Sequence, residues 1–298
     1  MKFAFIHRHH RDYELKIMCR VLQVSRGGYY RWVKRQDEPP SRREMANQQL
    51  TAAIQTTFKR SRGTYGAPRI HAELKSQGME CSRPLVARLM RKAGIHARRR
   101  RAYKVTTTLS KHNYPIAPNT LNRQFWAAGP NEKWVGDITY LRTAEGWLYL
   151  AVVLDIYSRK VVGWAMDKHM EEGLVASALK MATSHRQPGE GVLHHTDRGS
   201  QYAAHSYQQL LGAHKMTVSM SRKGDCYDNA VIESFWSTLK AECATGIYPT
   251  RAQARQSIFE YVEVWYNRQR RHSALGYASP EAFEQRYFES NPVSTKSL

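Results

Sequence analysis

The fold of this chain can be predicted from residues 133–167, which read KWVGDITYLRTAEGWLYLAVVLDIYSRKVVGWAMD. Side chains alternate in polarity from Lys133 to Arg142, and a turn signal follows at Glu145-Gly146. The next run, from Trp147 to Tyr157, is almost continuously apolar, and a third short apolar run covers Val161 to Met166. Such runs between turn residues predict three β-strands that are joined by two hairpins into an antiparallel meander.

Downstream of this meander, helical patterns alternate with short strand patterns. Apolar residues at helical spacing predict a helix over 171–185, and the elements after it are strand Val192–His195, helix 203–213, strand 216–219 and helix 228–243. This order of elements predicts an α/β domain with a mixed sheet. Four tryptophans are expected in its core rather than as platforms for nucleic-acid bases: Trp134, Trp147, Trp164 and Trp236.

Positive charge is concentrated in the N-terminal part of the chain. Residues 1–124 hold 27 Lys and Arg against 7 Asp and Glu, a net of +20, whereas residues 125–298 hold 19 against 18, a net of +1. A polycation of this kind binds polyanions, because neutralised phosphates release their counterions. A solvated helix face is the alternative for any single basic run, but so few acids favour a nucleic-acid-binding arm.

The remaining composition excludes several classes of protein. A chain of 298 residues with 42% hydrophobic content can form about two domains with real cores. The longest apolar run, Trp147 to Leu154, is far shorter than the ~20 residues of a membrane helix, and no secretory signal follows Met1. Four cysteines without a Cys-x-x-Cys pair exclude a disulfide framework and disfavour structural zinc. We therefore expect a cytoplasmic protein without a membrane partner.

Two helical modules are predicted in the basic arm. Residues 1–38 form a helix-turn-helix-like segment with its turn at Val24-Ser25. Residues 42–104 form a basic helix-turn-helix domain with three helical stretches, over 43–58, 67–77 and 82–93. Residues 105–124 have no periodicity and are interpreted as a linker to the near-neutral body, 125–290.

The candidate DNA contacts lie in two basic clusters. In a helix-turn-helix the second helix enters the major groove of DNA, and the stretch 82–93 has the required basic side. The first cluster comprises Arg83, Arg88, Arg91, Lys92, Arg98, Arg99, Arg100 and Arg101. The second follows a C-terminal helix, with a solvated loop as its alternative, and comprises Arg268, Arg270 and Arg271.

Three carboxylates of the body fall where a catalytic site can form. Asp137 lies in the middle of a strand, Asp197 lies just beyond a strand end, and Glu233 lies inside a helix. A carboxylate within a strand is costly unless it has a partner. Residues placed in this way can converge into the oxygen-rich pocket that two divalent ions need for phosphodiester chemistry.

Each of these carboxylates also has a local explanation. Asp137 could accept backbone hydrogen bonds at a bulge, and Asp197 could cap the helix that follows. Glu233 could pair with Lys240, which lies on the same polar side of its helix. Further acids compete for the same role and are interpreted as a turn-former and two helix-start residues: Asp155, Asp225 and Asp228.

The sequence around these carboxylates resembles the three active-site blocks of bacterial insertion-sequence transposases with a retroviral-integrase-like core. The blocks are WVGDITY (134–140), HTDRGSQY (195–202) and DNAVIESFW (228–236). Between Asp197 and Glu233 stand 35 residues, the D-35-E interval of that superfamily, and Lys240 matches its accessory basic residue. Flanking segments 63–70 and 268–277 are also similar to the family.

This resemblance covers about residues 12–285 and is strongest to the B-frame product of two-frame insertion sequences. It implies a ribonuclease H-like fold and a DDE polynucleotidyl transferase in which Asp137, Asp197 and Glu233 hold two Mg²⁺ or Mn²⁺ ions. The implied reaction cuts the ends of a mobile element and joins the freed 3′-hydroxyl to target DNA. Implied partners are double-stranded DNA, at least a second copy of the chain and an upstream-frame protein, in the bacterial nucleoid.

Two departures from the pattern and two other functions stand beside this interpretation. Thr196 occupies a position where serine is expected, and the zinc-binding His/Cys arrangement of retroviral integrases is absent from the N-terminus. One alternative function is a ribonuclease H-like nuclease that hydrolyses DNA without joining it. The other is a non-enzymatic helix-turn-helix regulator whose C-terminal body only dimerises.

Overall fold

A small three-helix bundle opens the chain in the computed structural model, which describes residues 1–98, 112–222 and 226–292. Its helices are α1 (Lys2–His9), α2 (Leu15–Val21) and α3 (Arg26–Asp37). Ser25 begins α3 as predicted, because its Oγ accepts a hydrogen bond of 3.0 Å from the Gly28 amide. Helix α1 is not marked by the sequence pattern, yet its Ile6 is buried against Met18 of α2.

A second helical module follows after Pro39-Pro40. It consists of α4 (Arg42–Arg60), α5 (Ala67–Ser76) and α6 (Arg83–Lys92), which confirms the three predicted stretches. Ser41 and Glu44 form a capping box at the start of α4, and the Ser82 hydroxyl caps α6. The three helices bury Ile54, Ile70 and Val86 between them.

The body contains the predicted mixed sheet of five strands. These are β1 (Lys133–Thr143), β2 (Gly146–Asp155), β3 (Val161–Asp167), β4 (Leu193–Thr196) and β5 (Thr217–Met220). Their order across the sheet is β3-β2-β1-β4-β5. The first three strands pair antiparallel as a meander, whereas β4 pairs parallel with both β1 and β5.

Helices cover both faces of this sheet, because alternate side chains of each strand point to opposite sides. On one face α7 (Glu172–Arg186) packs with α8 (Ser200–Ala203) and α9 (His205–Ala213), and α9 confirms the helix expected over 203–213. On the other face lie α10 (Ala230–Glu242), α11 (Arg251–Phe259) and the π-helical segment Glu260–Tyr266 that continues α11. Helix α10 follows a 3₁₀ turn, Cys226–Asn229, and the C-terminal helix is α12 (Pro280–Ser290).

The second helical module is docked onto the C-terminal helices. The Tyr65 ring lies 5.7 Å from the Trp265 ring, and the Tyr65 hydroxyl accepts a hydrogen bond of 2.7 Å from the Arg271 amide. The guanidinium of Arg271 is hydrogen-bonded to Glu73 of α5. Apolar and polar contacts therefore fix the module to the body. In the described parts of the chain no helix is long and apolar enough to span a membrane.

Gly163 marks the closest approach between α7 and the sheet. A Cβ atom at this position would lie 2.2 Å from the Ala178 carbonyl oxygen and 2.6 Å from the Ala182 amide nitrogen. Both are backbone atoms of α7, so they cannot move aside unless the helix shifts. The helix thus packs this closely on β3 because residue 163 has no side chain.

We predict that G163A destabilises the protein by about 1–3 kcal/mol, because an added methyl group overpacks this contact. The matched control is G173A in α7, where an added Cβ meets no atom within 4 Å. Its stability should be unchanged or slightly higher, since Ala favours a helix over Gly by about 0.5–1 kcal/mol. Thermal denaturation measures both variants, and equal melting temperatures would contradict this account of the packing.

Candidate active site

The parallel pairing of β1 with β4 brings the first two predicted carboxylates together. Val135 of β1 is in register with His195 of β4, and this is the last paired position of the two strands. Continuing the register by two residues on each strand brings Asp137 level with Asp197. Because β4 ends at Thr196, the edge of β1 is no longer covered where these two side chains lie.

Helix α10 is joined to this edge through Trp236. The Trp236 indole Nε1 donates a hydrogen bond of 2.7 Å to Oδ2 of Asp137. The other carboxylate oxygen, Oδ1, accepts a bond of 2.8 Å from the Ile138 amide. Glu233 precedes Trp236 by three residues, about one helical turn, so this bond places the Glu233 turn of α10 beside Asp137.

The electrostatics of Asp137 show that the three carboxylates lie near one another. Burial, followed by the negative charges of Asp197 and Glu233, raises the pKa of Asp137 to about 7, although the hydrogen bonds from Trp236 and Ile138 oppose the rise. Burial also raises the pKa of Glu233. The site is therefore a local concentration of negative charge on a strongly basic protein.

Lys240 lies beside the same site, two turns after Glu233 on α10. Its Nζ is 5.3 Å from the centre of the Tyr140 ring, a cation–π distance. Burial lowers the pKa of Lys240, and the charge of Asp137 opposes that change. The structure thus brings together all four residues that the sequence suggested for the site.

Asp137 and Asp197 also accept the backbone hydrogen bonds that the sequence suggested as an alternative to metal binding. Oδ1 of Asp197 accepts a bond of 2.8 Å from the Gly199 amide, just before α8, and Asp137 accepts the backbone bond from Ile138. A carboxylate has about four acceptor positions, so accepting a backbone hydrogen bond does not exclude a role as a metal ligand. The capping interpretation and the ligand interpretation are therefore compatible.

The donor set of this site suits a hard divalent cation, which prefers carboxylate oxygens. Such a cation would neutralise the negative charges of Asp137, Asp197 and Glu233 and so remove the repulsion that Asp137 experiences from the other two. Over residues 1–98, 112–222 and 226–292, no three His, Cys, Asp or Glu side chains stand at the spacing of ligands around one ion. The residue types fit a metal site, whereas closure around a metal would require side-chain adjustment.

Asp228, interpreted from the sequence as a helix-start acid, has a larger role in the structure. It is fully buried, and its carboxylate accepts hydrogen bonds of 2.8–3.1 Å from Asn119, Arg123 and Arg222. The bonds from Arg222 and then from Arg123 hold the pKa of Asp228 well below its usual range. One carboxylate therefore ties the linker to the 3₁₀ turn that begins α10, the helix of Glu233.

The first cluster of predicted DNA contacts lies on the surface where it is described. Arg83, Arg88, Arg91 and Lys92 are exposed on or at the end of α6, and Arg98 is exposed beyond it. The other three members lie outside the described residues: Arg99, Arg100 and Arg101.

The second cluster is placed differently from the prediction. Arg268 is exposed, with Glu281 3.7 Å away, but Arg270 is only 1% exposed and donates to both carboxylate oxygens of Glu242. Arg271 is held by Glu73 and by Ser76 at the module junction. The structure therefore argues against DNA contacts by Arg270 and Arg271, because their guanidinium groups are hydrogen-bonded to other residues of the protein.

Comparison with known proteins identifies the chain. Three family models match it: an HTH-like domain at 45–103 and integrase core domains at 127–226 and 214–280. The transposase InsF of insertion sequence IS3A from Escherichia coli (strain K12) is 44% identical over 287 residues, which cover 96% of this chain and 99% of the relative. The chain belongs to the IS3 family of insertion-sequence transposases.

A further relative and two solved structures are similar to this IS3-family transposase. The uncharacterized 31 kDa protein of insertion element IS600 from Shigella sonnei is 44% identical over 273 residues, covering 91% of this chain and 99% of that protein. Among solved structures, a chain of the simian T-cell lymphotropic virus intasome is 13% identical, with a TM-score of 0.42, over 76% of this chain and 72% of that chain. The HTLV-2 integrase catalytic core is 17% identical, with a TM-score of 0.38, over 53% and 99%.

The family models and the relatives of 44% identity confirm the family resemblance and the fold class predicted for the transposase. The observed mixed sheet is the ribonuclease H-like sheet of an integrase core, and an HTH-like helical domain precedes it. The integrase core places the chain in the polynucleotidyl-transferase superfamily. Family membership thus favours the transposase over the non-enzymatic regulator.

Two residues at the candidate site were not predicted from the sequence: the indole donor Trp236 and the buried carboxylate Asp228. Trp236 is buried, as expected of a core residue, but its partner Asp137 is 99 positions away. Two of the donors to Asp228, Asn119 and Arg123, are also more than 100 positions away. Local spacing carries no signal for either contact. The only hint in the sequence was that both residues belong to the block 228–236.

We predict that D228N destabilises the transposase by about 2–4 kcal/mol, because two arginines lose a buried anionic partner. A carboxyl group whose pKa is lowered by folding stabilises the folded state above its unfolded pKa. The gap in unfolding free energy between wild type and D228N should therefore be present at neutral pH and narrow below about pH 4.

Chemical denaturation at several pH values measures this gap. The matched control is E190Q, which removes an exposed carboxylate that pairs with Lys215. Surface pairs contribute about 0–1 kcal/mol, so E190Q should differ little from wild type. A D228N variant as stable as E190Q would show that the clamp does not stabilise the start of α10.

Proposed function

We propose that this chain is a DDE polynucleotidyl transferase that cuts the ends of its mobile DNA element and joins the freed 3′-hydroxyl to target DNA. Its catalytic carboxylates are Asp137, Asp197 and Glu233. The observation that carries the proposal is that acids from three separate elements converge. The β1–β4 register brings Asp137 level with Asp197, and the hydrogen bond from Trp236 places the Glu233 turn of α10 beside Asp137. Such clusters of acids with shifted pKa values are typical of active sites.

In this proposal Asp137, Asp197 and Glu233 supply the ligands for two Mg²⁺ or Mn²⁺ ions. When bound, such a pair of ions favours deprotonation of the attacking hydroxyl group or water and stabilises the leaving oxygen. The indole of Trp236 holds Oδ2 of Asp137 in one orientation from α10. That hydrogen bond would keep the distance between Asp137 of β1 and Glu233 of α10 constant while substrates exchange.

Lys240 is the proposed phosphate-binding residue of the site. Its ammonium group is the positive charge beside Asp137 on the same helix as Glu233. A cation here can hold a non-bridging oxygen of the scissile phosphate and reduce its repulsion from the carboxylates. Lys240 would thus bind the phosphate by its positive charge, while the negatively charged carboxylates bind the metal ions.

Duplex DNA is the proposed ligand of the exposed basic side of α6. Arg83, Arg88 and Arg91 are distributed along that helix, and none of them is buried. We further propose that Arg98 to Arg101 and Arg268 extend the contact to neighbouring phosphates. Two element ends must be cut, so at least two copies of the chain act together on DNA in the bacterial nucleoid. An upstream-frame protein stays a predicted partner.

We predict that D137N, D197N and E233Q each lower cleavage and strand transfer by about a thousandfold or more, because a ligand of the metal pair is removed. Labelled DNA from the element's own ends, incubated with Mg²⁺, measures both steps. Binding of that DNA without divalent ions should not be weakened. E190Q is the control, and full activity of any of the three variants would remove that residue from the mechanism.

A pre-cut substrate with a free 3′-hydroxyl separates transposase from nuclease. The transposase should join this substrate to a second duplex, and D137N should abolish the joining. Hydrolysis without any joined product would favour the nuclease alternative instead. The two activities share the same carboxylates, so only the product distinguishes them.

We predict that affinity for element-end DNA falls steeply with salt, because bound phosphates release counterions. In R83A, R88A and R91A the slope of log K against log[salt] should become shallower by about 0.9 for each phosphate that the arginine neutralises in the wild type. Fluorescence anisotropy over a range of salt concentrations measures the slope. K215A is the control, because Lys215 is an exposed lysine of the body that pairs with Glu190. An unchanged slope in all three arginine variants would place the DNA elsewhere.

A further inference from the structure

An aromatic residue, Trp147, is exposed to solvent near the turn of the β1–β2 hairpin. Trp147, expected in the core from the sequence, is 44% exposed, and Arg142 opposite it on β1 is exposed as well. Trp134 and Trp236, by contrast, are buried as expected. The expectation of a core position is therefore wrong for Trp147, because it lies next to the turn rather than in the middle of the sheet.

Trp147 belongs to a group of two aromatic rings and two cations that contact one another. The Tyr140 ring meets it edge-on, with 4.8 Å between ring centres and an angle of 81°. The Arg142 guanidinium lies 5.8 Å from the Trp147 ring, and Lys240 lies over Tyr140. We call these four residues, Tyr140, Arg142, Trp147 and Lys240, the aromatic–cation surface.

A third cation adjoins this surface. Nε of Arg251 donates a bond of 3.2 Å to the Trp147 carbonyl oxygen, which holds the arginine at the hairpin turn. One acid, Glu145, lies in the same turn and accepts a bond from the Arg251 amide. At the hairpin turn two cations, Arg142 and Arg251, accompany one carboxylate, Glu145, so this end of the surface has a net positive charge that suits a nucleic-acid backbone.

Lys240 joins this surface to the candidate active site. Tyr140 follows Asp137 by three residues on β1, about 10 Å, so their side chains leave opposite faces of the sheet. Trp147 lies opposite the fifth residue, about 17 Å along. Lys240 is common to both, because it lies over Tyr140 and beside Asp137. A DNA strand bound at the carboxylates would therefore reach Trp147 within a few nucleotides.

We propose that the aromatic–cation surface binds an unpaired nucleotide of the DNA strand next to the phosphodiester that is cut. The base stacks on Trp147 and Arg142 holds the adjacent phosphate, while Lys240 stays with the scissile phosphate. The occupant is unpaired because the face of a base can stack on protein only where base stacking in the duplex is broken. The inference rests on the proposed function, since DNA must enter the site beside Asp137.

Frayed DNA provides the test of this surface. Element-end DNA is prepared as a full duplex and with mismatched bases at the cleavage site, and binding is measured without divalent ions. Stacking on an aromatic side chain is worth about 5- to 100-fold in affinity, so W147A should lose about that factor on the frayed DNA. It should lose little on the full duplex. W147F, which keeps an aromatic ring, should recover most of the difference.

A second tryptophan supplies the matched control. Trp126 is 74% exposed near the start of the body, and W126A should bind both DNAs as wild type does. Photocrosslinking with 5-iodouracil at successive positions beside the cut should label the peptide that contains Trp147. Thermal denaturation of W147A and W147F excludes a loss of folding as the cause.

The outcomes separate this inference from the proposed function. Equal loss of affinity by W147A on frayed and duplex DNA, or crosslinks that all fall outside residues 140–147, would overturn the surface as a site for unpaired bases. Full activity of D137N would instead overturn the catalytic assignment. If D137N is inactive and W147A binds frayed DNA like wild type, the catalytic proposal stands and the aromatic–cation surface is wrong.

Discussion

The parallel register between β1 and β4 is the constraint from which the candidate site follows. It makes Asp137 level with Asp197, and the short length of β4 leaves the edge of β1 open to α10 at that point. Two buried histidines of β4, His194 and His195, hold this strand in place from opposite faces of the sheet. His194 is hydrogen-bonded to the Tyr207 hydroxyl and His195 to the Ser219 hydroxyl, both at 2.8 Å. Burial lowers their pKa values to about 3 and about 4, so both are neutral at physiological pH.

The near-neutral charge of the body has a structural explanation that composition alone did not suggest. Several of its acids are buried partners of arginines rather than ligands of a metal. Glu242 holds Arg270, Glu284 holds Arg186, and Asp228 is bound by Arg222. A buried charge is tolerated only when it is paired, so these acids and bases cancel inside the fold. The carboxylates of the candidate site differ because Asp137 lies near two other acids, Asp197 and Glu233.

The junction between the helical module and the body connects the DNA-binding arm to the site. Arg271, expected to contact DNA, instead hydrogen-bonds Glu73 of α5, and Tyr65 packs on Trp265. At the other end of the linker, Asp228 binds Asn119 and Arg123 and also begins the segment that carries Glu233. The chain that leads from the arm into the body is thus anchored at the helix that completes the site.

Local patterns in the sequence were enough to predict most of the secondary-structure elements, although not α1. Strand alternation, helical spacing and caps are properties of neighbouring residues, so the meander, the mixed sheet and the helices of the second module could be predicted. The three carboxylates could be named because their blocks resemble a family. Three other facts emerged only from the folded chain: Trp236 binds Asp137, Arg270 is buried and Trp147 is exposed. They depend on strand register and helix docking between residues far apart in the chain, which local patterns do not encode.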